Sequence, residues 1–265
     1  MKKAVFSLPS SFSMGDYSFY KMRGVDGTVI RSKGGATKSQ IENNPAFQRV
    51  REANSEFGGS AKAAGNIFAG MRAVKHLADY NFIGTLLKLS RIIQKYDTIS
   101  GPGQRIIELS KYKNILEGFN LNKTVLFDSI VTVSPSCNIS REKISVSVDI
   151  PELYPGAGLI NHWKLPLFRF IIEASIIPDT IFAHTQYEKT GSESNIYSDN
   201  LKTDWFSTSE KNAGMHLELP MFNNKGLFDS ATIVVAIGIE FGTLISKMVI
   251  EPVKRTGCAK ILAVS

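Results

Sequence analysis

The sequence predicts an α+β protein in which an N-terminal β-hairpin and helical hairpin precede an antiparallel β-sandwich of immunoglobulin-like or jelly-roll kind. Three observations carry this. Between Pro45 and Arg72 the residues Phe47, Val50, Asn54, Phe57, Ala61, Ala64, Phe68 and Met71 recur at alternating spacings of three and four, which lines them up on one stripe of a long helix. From Val125 onward the pattern changes to period two, in runs rich in β-branched and aromatic residues. The charge changes as well: residues 1–123 hold 19 Lys+Arg against 9 Asp+Glu, whereas residues 124–265 hold 12 against 15. The expected division is a basic hairpin-plus-helical region, 1–123, and a β-sandwich domain, 124–265. A chain of 265 residues that is 43% hydrophobic can fill a substantial core.

In order along the chain, residues 16–33 alternate apolar and polar positions on either side of Gly24-Val25-Asp26-Gly27, and Asp-Gly favours a tight turn, so a β-hairpin is expected. Gly34-Gly35-Ala36-Thr37-Lys38-Ser39 resembles a phosphate-binding loop only superficially, because such a loop needs a glycine directly before its lysine. Ser39, Asn43 and Asn44 are candidate helix caps, and Pro45 suits a first helical turn. Within the long helix, Gly58 to Gly65 holds only Gly, Ser, Ala and one Lys. Two adjacent glycines cost roughly 1 kcal/mol each relative to alanine, so either close packing offsets them or the helix kinks there, and packing in a helical pair or an oligomer is the favoured expectation. A second helix, from about Asp79 to Tyr96, sets Phe82, Leu86, Leu89, Ile93 and Tyr96 on one face and ends before Ser100-Gly101-Pro102-Gly103.

Seven candidate strands come next: IVTVS, KISVSVDI, LFRFIIEASI, TIFAHTQY, MHLEL, ATIVVAIGIEF and KILAVS. The apolar run Ile233 to Phe241, broken only by Glu240, suits a central strand, and Gly238 within it marks a bulge or a close contact. The Ser/Asn-rich stretch 189–200 reads as a surface loop. Acidic residues in this half stand singly among apolar ones, as outward strand positions would.

A search for chemistry gives negatives. His76, His162, His184 and His216 are scattered, Cys137 and Cys258 lie far apart, and neither set has metal-ligand spacing. No nucleophile elbow, dinucleotide fingerprint or paired-carboxylate motif occurs. The expectation is a non-enzyme without cofactor or metal, with two free, partly buried thiols. The opening MKKAVFSLPSSFSMG, interrupted by Pro9 and serines, is a poor secretory signal, and no apolar run could span a membrane, so a cytoplasmic location is expected.

The segments SFYKMRG, TVIRSKGG and NPAFQRVREANSEFGGSAKA, with GQR at 103–105, LEGF at 116–119 and IGIEF at 237–241 before KILAVS, resemble an uncharacterised family of Bacteroidota proteins. The resemblance spans nearly the whole chain and is strongest over 18–72. It implies no activity, cofactor or site residue, and it joins the N-terminal elements to the β half as one unit.

Three functional readings remain. The favoured one is a non-enzymatic structural or interaction protein that docks through its basic N-terminal helix onto itself or a larger assembly, with Arg49, Arg51, Ala61, Lys62, Ala64 and Arg72 as the interaction candidates. The alternative is non-specific nucleic-acid binding by the basic half, adding Lys75, Lys21, Arg23, Arg31 and Lys33. Against it, Glu42, Glu52 and Glu56 interleave with the basic residues, and Phe47 and Phe57 fall on the helical seam. The third is a ligand-binding sandwich using Trp163, Trp205, Tyr187 and Tyr197 as a platform.

Overall fold

The computed structural model describes residues 11–22, 24–191, 196–221, 227, 229–246 and 249–265. The basic candidate Arg23, most of the opening stretch and positions 192–195 of the Ser/Asn-rich stretch lie outside the described residues. The chain forms two compact units, Met1–Arg51 and Glu52–Ser265.

In the first unit, β1 (Ser11–Met14), β2 (Tyr17–Tyr20) and β3 (Val29–Ser32) form an antiparallel meander. The expected hairpin is its second half, with Tyr17 opposite Ser32. Phe12 stacks on Phe19 across the first pair at 4.5 Å between ring centres. The short helix α1 (Lys38–Asn43) starts at a capping box, in which the Thr37 hydroxyl accepts from Gln40 N–H and the Gln40 side chain accepts from Thr37 N–H. Asn44 caps the 3-10 turn Pro45–Phe47 by accepting from Ala46 N–H at 2.9 Å. No described residue of this unit is buried.

The second unit is layered. Its helices are α2 (Gln48–Ala69, which begins in the first unit), α3 (Ile83–Tyr96) and the single turn α4 (Phe127–Ile130). Its strands are β4 (Ser136–Ser140), β5 (Ser145–Ile150), β6 (Leu167–Pro178), β7 (Thr180–Ala183), β8 (Gln186–Lys189), β9 (Tyr197–Lys202), β10 (Phe206–Ser207), β11 (Met215–Pro220), β12 (Ala231–Ser246), β13 (Val249–Pro252) and β14 (Cys258–Val264). The six-stranded sheet is built on β6 and β12, paired over twelve positions from Ala231–Pro178 to Gly242–Leu167. β9 and β10 flank β6, while β14 and β13 share the far side of β12. A three-stranded sheet runs β11-β5-β4, and β7-β8 is a hairpin. Every pairing between these strands is antiparallel, so the fold is α+β with antiparallel sheets.

Alternation along β6 and β12 assigns their side chains to two apolar faces. Phe168, Phe170, Ile172 and Ala174, with Ile233, Val235, Ile237, Ile239 and Phe241, share a core with Val146, Val148, Ile150 and Leu219 of the three-stranded sheet. Their neighbours Ile171, Ile177, Val234 and Ala236 face the other way and pack with Ala63, Ala64, Ile67, Met71, Leu86 and Ile93 of the helical layer. A strand covered on both faces reads as a continuous apolar run, which is why Ile233 to Phe241 shows almost no polar position. Gly238 meets the helical side, where a β-carbon would stand 2.6 Å from Leu77 Cδ1. Among the described residues, no helix is long and apolar enough to cross a membrane.

Three expectations need correcting. The buried stripe of α2 is Gly59, Ser60, Ala63, Ala64, Asn66 and Ile67, so the seam is turned from the anticipated one: Val50 and Phe57 are 40% and 50% exposed, and Ala61 is exposed. The small residues make the contact because they let the helix lie close, whereas counting large apolar side chains favours Phe57. IVTVS forms the end of α4 and an isolated bridge from Val131 to Leu159 rather than a strand. The end of the Ser/Asn-rich stretch is β9, which pairs Tyr197 with Ile176 and continues to Lys202 opposite Ile171.

Candidate functional site

The six interaction candidates have different surroundings. Arg49 is exposed, and Arg51 donates from Nη1 to the carbonyls of Ile41 and Asn44 at 2.6 and 2.9 Å, closing the C-terminal end of α1. Ala61 is exposed; Lys62 donates from Nζ to the Tyr187 carbonyl at 2.5 Å. Ala64 is buried inside this chain, and Arg72 is exposed beside the Glu173 carboxylate. The small-residue face thus packs on the chain's own sheet layer and hairpin.

Sequence reasoning placed the strand carboxylates outward, but two of them face the helices. Glu173 of β6 is 1% exposed and accepts from the backbone N–H groups of Ala73 and Val74 at 2.7 and 3.2 Å, fastening the turn after α2 to the centre of the sheet. Burial pushes its pKa up to about 7 against the pull of those amides. Glu240 of β12 is 3% exposed and receives Arg169 Nε and Nη2, both at 2.5 Å, and His76 Nε2 at 3.1 Å. Burial opposes its ionisation, but the His76 and Arg169 bonds outweigh that and hold it below the usual range. Arg169 lies over the Trp205 ring at 4.4 Å, and Trp205 covers Gly242. The signal for these residues was present: FIIEASII and AIGIEF embed a lone carboxylate in a doubly covered strand, with no exposed face to take it.

A buried polar network joins α2 and α3. Ser60 Oγ donates to Gln94 Oε1 at 2.8 Å, Gln94 Nε2 reaches the Arg105 carbonyl at 3.1 Å, and Tyr187 Oη donates to that same carbonyl at 2.9 Å. Burial pushes the Tyr187 phenol up to about 12, which keeps it a donor. On the outer face of the three-stranded sheet, His216 sits between Asp149 at 2.6 Å and Glu218 at 3.3 Å, whose hydrogen bonds raise its pKa. The two thiols are free, and burial pushes Cys137 up to about 11 and Cys258 up to about 12. No set of three His, Cys, Asp or Glu placed to hold a metal occurs among the described residues.

The carboxylates of Glu173 and Glu240 and the Ser60, Gln94 and Tyr187 side chains thus bond to one another, to Arg169 and His76 or to backbone, and they fasten helices and turns to the sheet. No family model matches the chain, and no curated protein or solved structure resembles it at a significant level.

Proposed function

We propose that this is a non-enzymatic structural or interaction protein that docks through its basic N-terminal unit onto copies of itself or a larger assembly. The observation that carries the reading is the make-up of Met1–Arg51. It holds nine Lys and Arg against three Asp and Glu, so most of the chain's +7 lies in fewer than a fifth of its residues. It also exposes Met14, Tyr17, Met22, Val25 and Ile30, each by 47% or more. A small sheet without a buried residue gains little stability alone, and apolar side chains set among cations suit an acidic partner surface. The β half, residues 124–265, has such a charge excess, so a second copy is the first candidate. A sandwich built by the two sheets that share a core would be the scaffold.

The test is molar mass in solution across salt concentration, for the parent and for Lys21→Glu with Arg31→Glu. Multiples of 29.2 kDa at low salt that fall to one mass with added salt or with charge reversal support the reading. A single mass under every condition for the parent would remove self-assembly. The same charge supports the second reading, non-specific nucleic-acid binding. Duplex DNA added to the same samples should then bind with an affinity that falls steeply with salt and not at all with base sequence.

A further inference from the structure

A cavity of about 470 Å³ opens in the second unit among the turn at Leu77 to Asp79, the loop at Asn122 to Val125, the loop carrying Trp163 and the turn from Arg255 to Gly257. Its size falls within the ~300–1,000 Å³ of small-molecule sites. Of the four aromatic residues that the sequence offered as a binding platform, Trp163 is the one that lines it. Tyr187 is in the buried network, Trp205 lies under Arg169, and Tyr197 donates to Asp199.

The walls are held. Asn122 donates to the Leu77 carbonyl at 2.7 Å and accepts from Ala259 N–H at 3.1 Å. Asp79 accepts from Lys123 N–H at 2.9 and 3.0 Å and from Thr124 N–H at 2.7 Å, and its pKa lies below the usual range because these bonds outweigh burial. The Trp163 ring packs at a tilt of 50° against Phe241, 5.0 Å between centres, and its loop is closed by Asn161, which donates to the Leu165 carbonyl at 2.7 Å. Arg255 differs: it is exposed and has no hydrogen-bond or ionic partner among the described residues. Both loops carry a non-glycine residue in the left-handed region, Lys164 at φ 52 and Arg255 at φ 62. Such backbone is costly and persists where the surroundings over-determine it. Here Thr256 Oγ1 donates to the Val253 carbonyl at 2.7 Å, and a β-carbon on Gly257 would collide with the Ile239 carbonyl.

We propose that this cavity binds a small aromatic monocarboxylate, its ring between the Trp163 indole and the apolar wall of Leu77 and Val125, its carboxylate on Arg255. A planar guanidinium matches a carboxylate with two parallel hydrogen bonds. The Asp79 charge on the same wall opposes a doubly charged anion, which selects the monoanion.

The test uses the full chain labelled with ¹⁵N, whose two tryptophans give two indole N–H signals, assigned by Trp163→Phe. Benzoate should shift the Trp163 signal saturably with a Kd on the order of 1 mM, as expected for so few atoms. Benzamide, the neutral isostere, should bind about tenfold more weakly, and Arg255→Gln should weaken benzoate about tenfold while leaving benzamide unchanged. Arg255 is exposed, so that variant should fold. No saturable shift by about 20 mM benzoate, a shift of the Trp205 signal in its place, or equal benzoate binding by Arg255→Gln would each overturn the proposal.

Discussion

Gly59 lies flat against the ring of Tyr187, so close that a methyl group in place of its hydrogen would stand 2.6 Å from Cδ1 and Cε1. This contact explains one member of the glycine pair in α2 and leaves the other free, since nothing lies within 4 Å of the equivalent position on Gly58. Gly59→Ala should therefore destabilise by about 1–2 kcal/mol, the clash exceeding the gain in helix propensity, whereas Gly58→Ala should stabilise by up to ~1 kcal/mol. Thermal melts check it: the two variants should move in opposite directions, by a few degrees each.

The turned seam reverses the ranking of two neighbouring alanines. Ala63 is 6% exposed and belongs to the core shared with the sheet, while Ala61 points to solvent. Ala63→Leu should cost ~1–3 kcal/mol by overpacking, and Ala61→Leu should stay within about 0.5 kcal/mol. Denaturant midpoints that ranked them the other way would restore the seam expected from periodicity.

Removing Arg169 should hurt far more than removing His76, although both contact Glu240. Arg169→Ala leaves a carboxylate that is 3% exposed without its main counter-charge, a loss of about 3–5 kcal/mol. The His76 side chain is 49% exposed, and His76→Ala should cost under about 1 kcal/mol. Equal costs in chemical denaturation would mean that the Arg169 pair is solvated.

Glu173 should give the stability profile an unusual slope. Its carboxyl goes from an ordinary value of 4.5 to about 7 on folding, so between those values the folded state keeps a proton that the unfolded state has released. That contribution is intact below 4.5 and is lost as pH rises to 7 and beyond, by on the order of 3 kcal/mol. Glu173→Gln has no such proton, so the parent-minus-variant stability should fall across this window. A flat difference would show that the site is hydrated.

Periodicity exposed the parts of the fold whose neighbours differ in polarity. The hairpin at 17–32, the long helix ending at Ala69 and the central strand β12 were all legible because their sequence alternates or runs apolar for a reason visible locally. The register of α2 was not, because its contact rests on the absence of side-chain bulk, and Gly, Ser and Ala carry almost no hydrophobic signal. β9 was hidden for a related reason: YSDNLK has turn-forming composition, and what makes it a strand is the free edge of β6 beside it. Of the candidate cavity only Trp163 stood out, because Arg255 and Asp79 are brought together from positions far apart in sequence.

The edge of β14 has a consequence for the order of events in synthesis. Residues 118–121 lie along it as a strap, with Gly118 N–H donating to the Ile261 carbonyl, Ile261 N–H to Phe119 and Leu121 N–H to Ala259, at 2.8–3.0 Å. The strap is made about 140 residues before its partner, so at ~5–20 residues per second a nascent chain carries it unpaired for on the order of ten seconds. During that interval Leu116 and Leu121, both fully buried in the finished protein, have only the helical side of their core, since Ile171, Val234, Ala236, Ala259 and Ile261 are still to come. The helical layer is thus translated early and completed late, with one side of its apolar surface uncovered until β14 arrives.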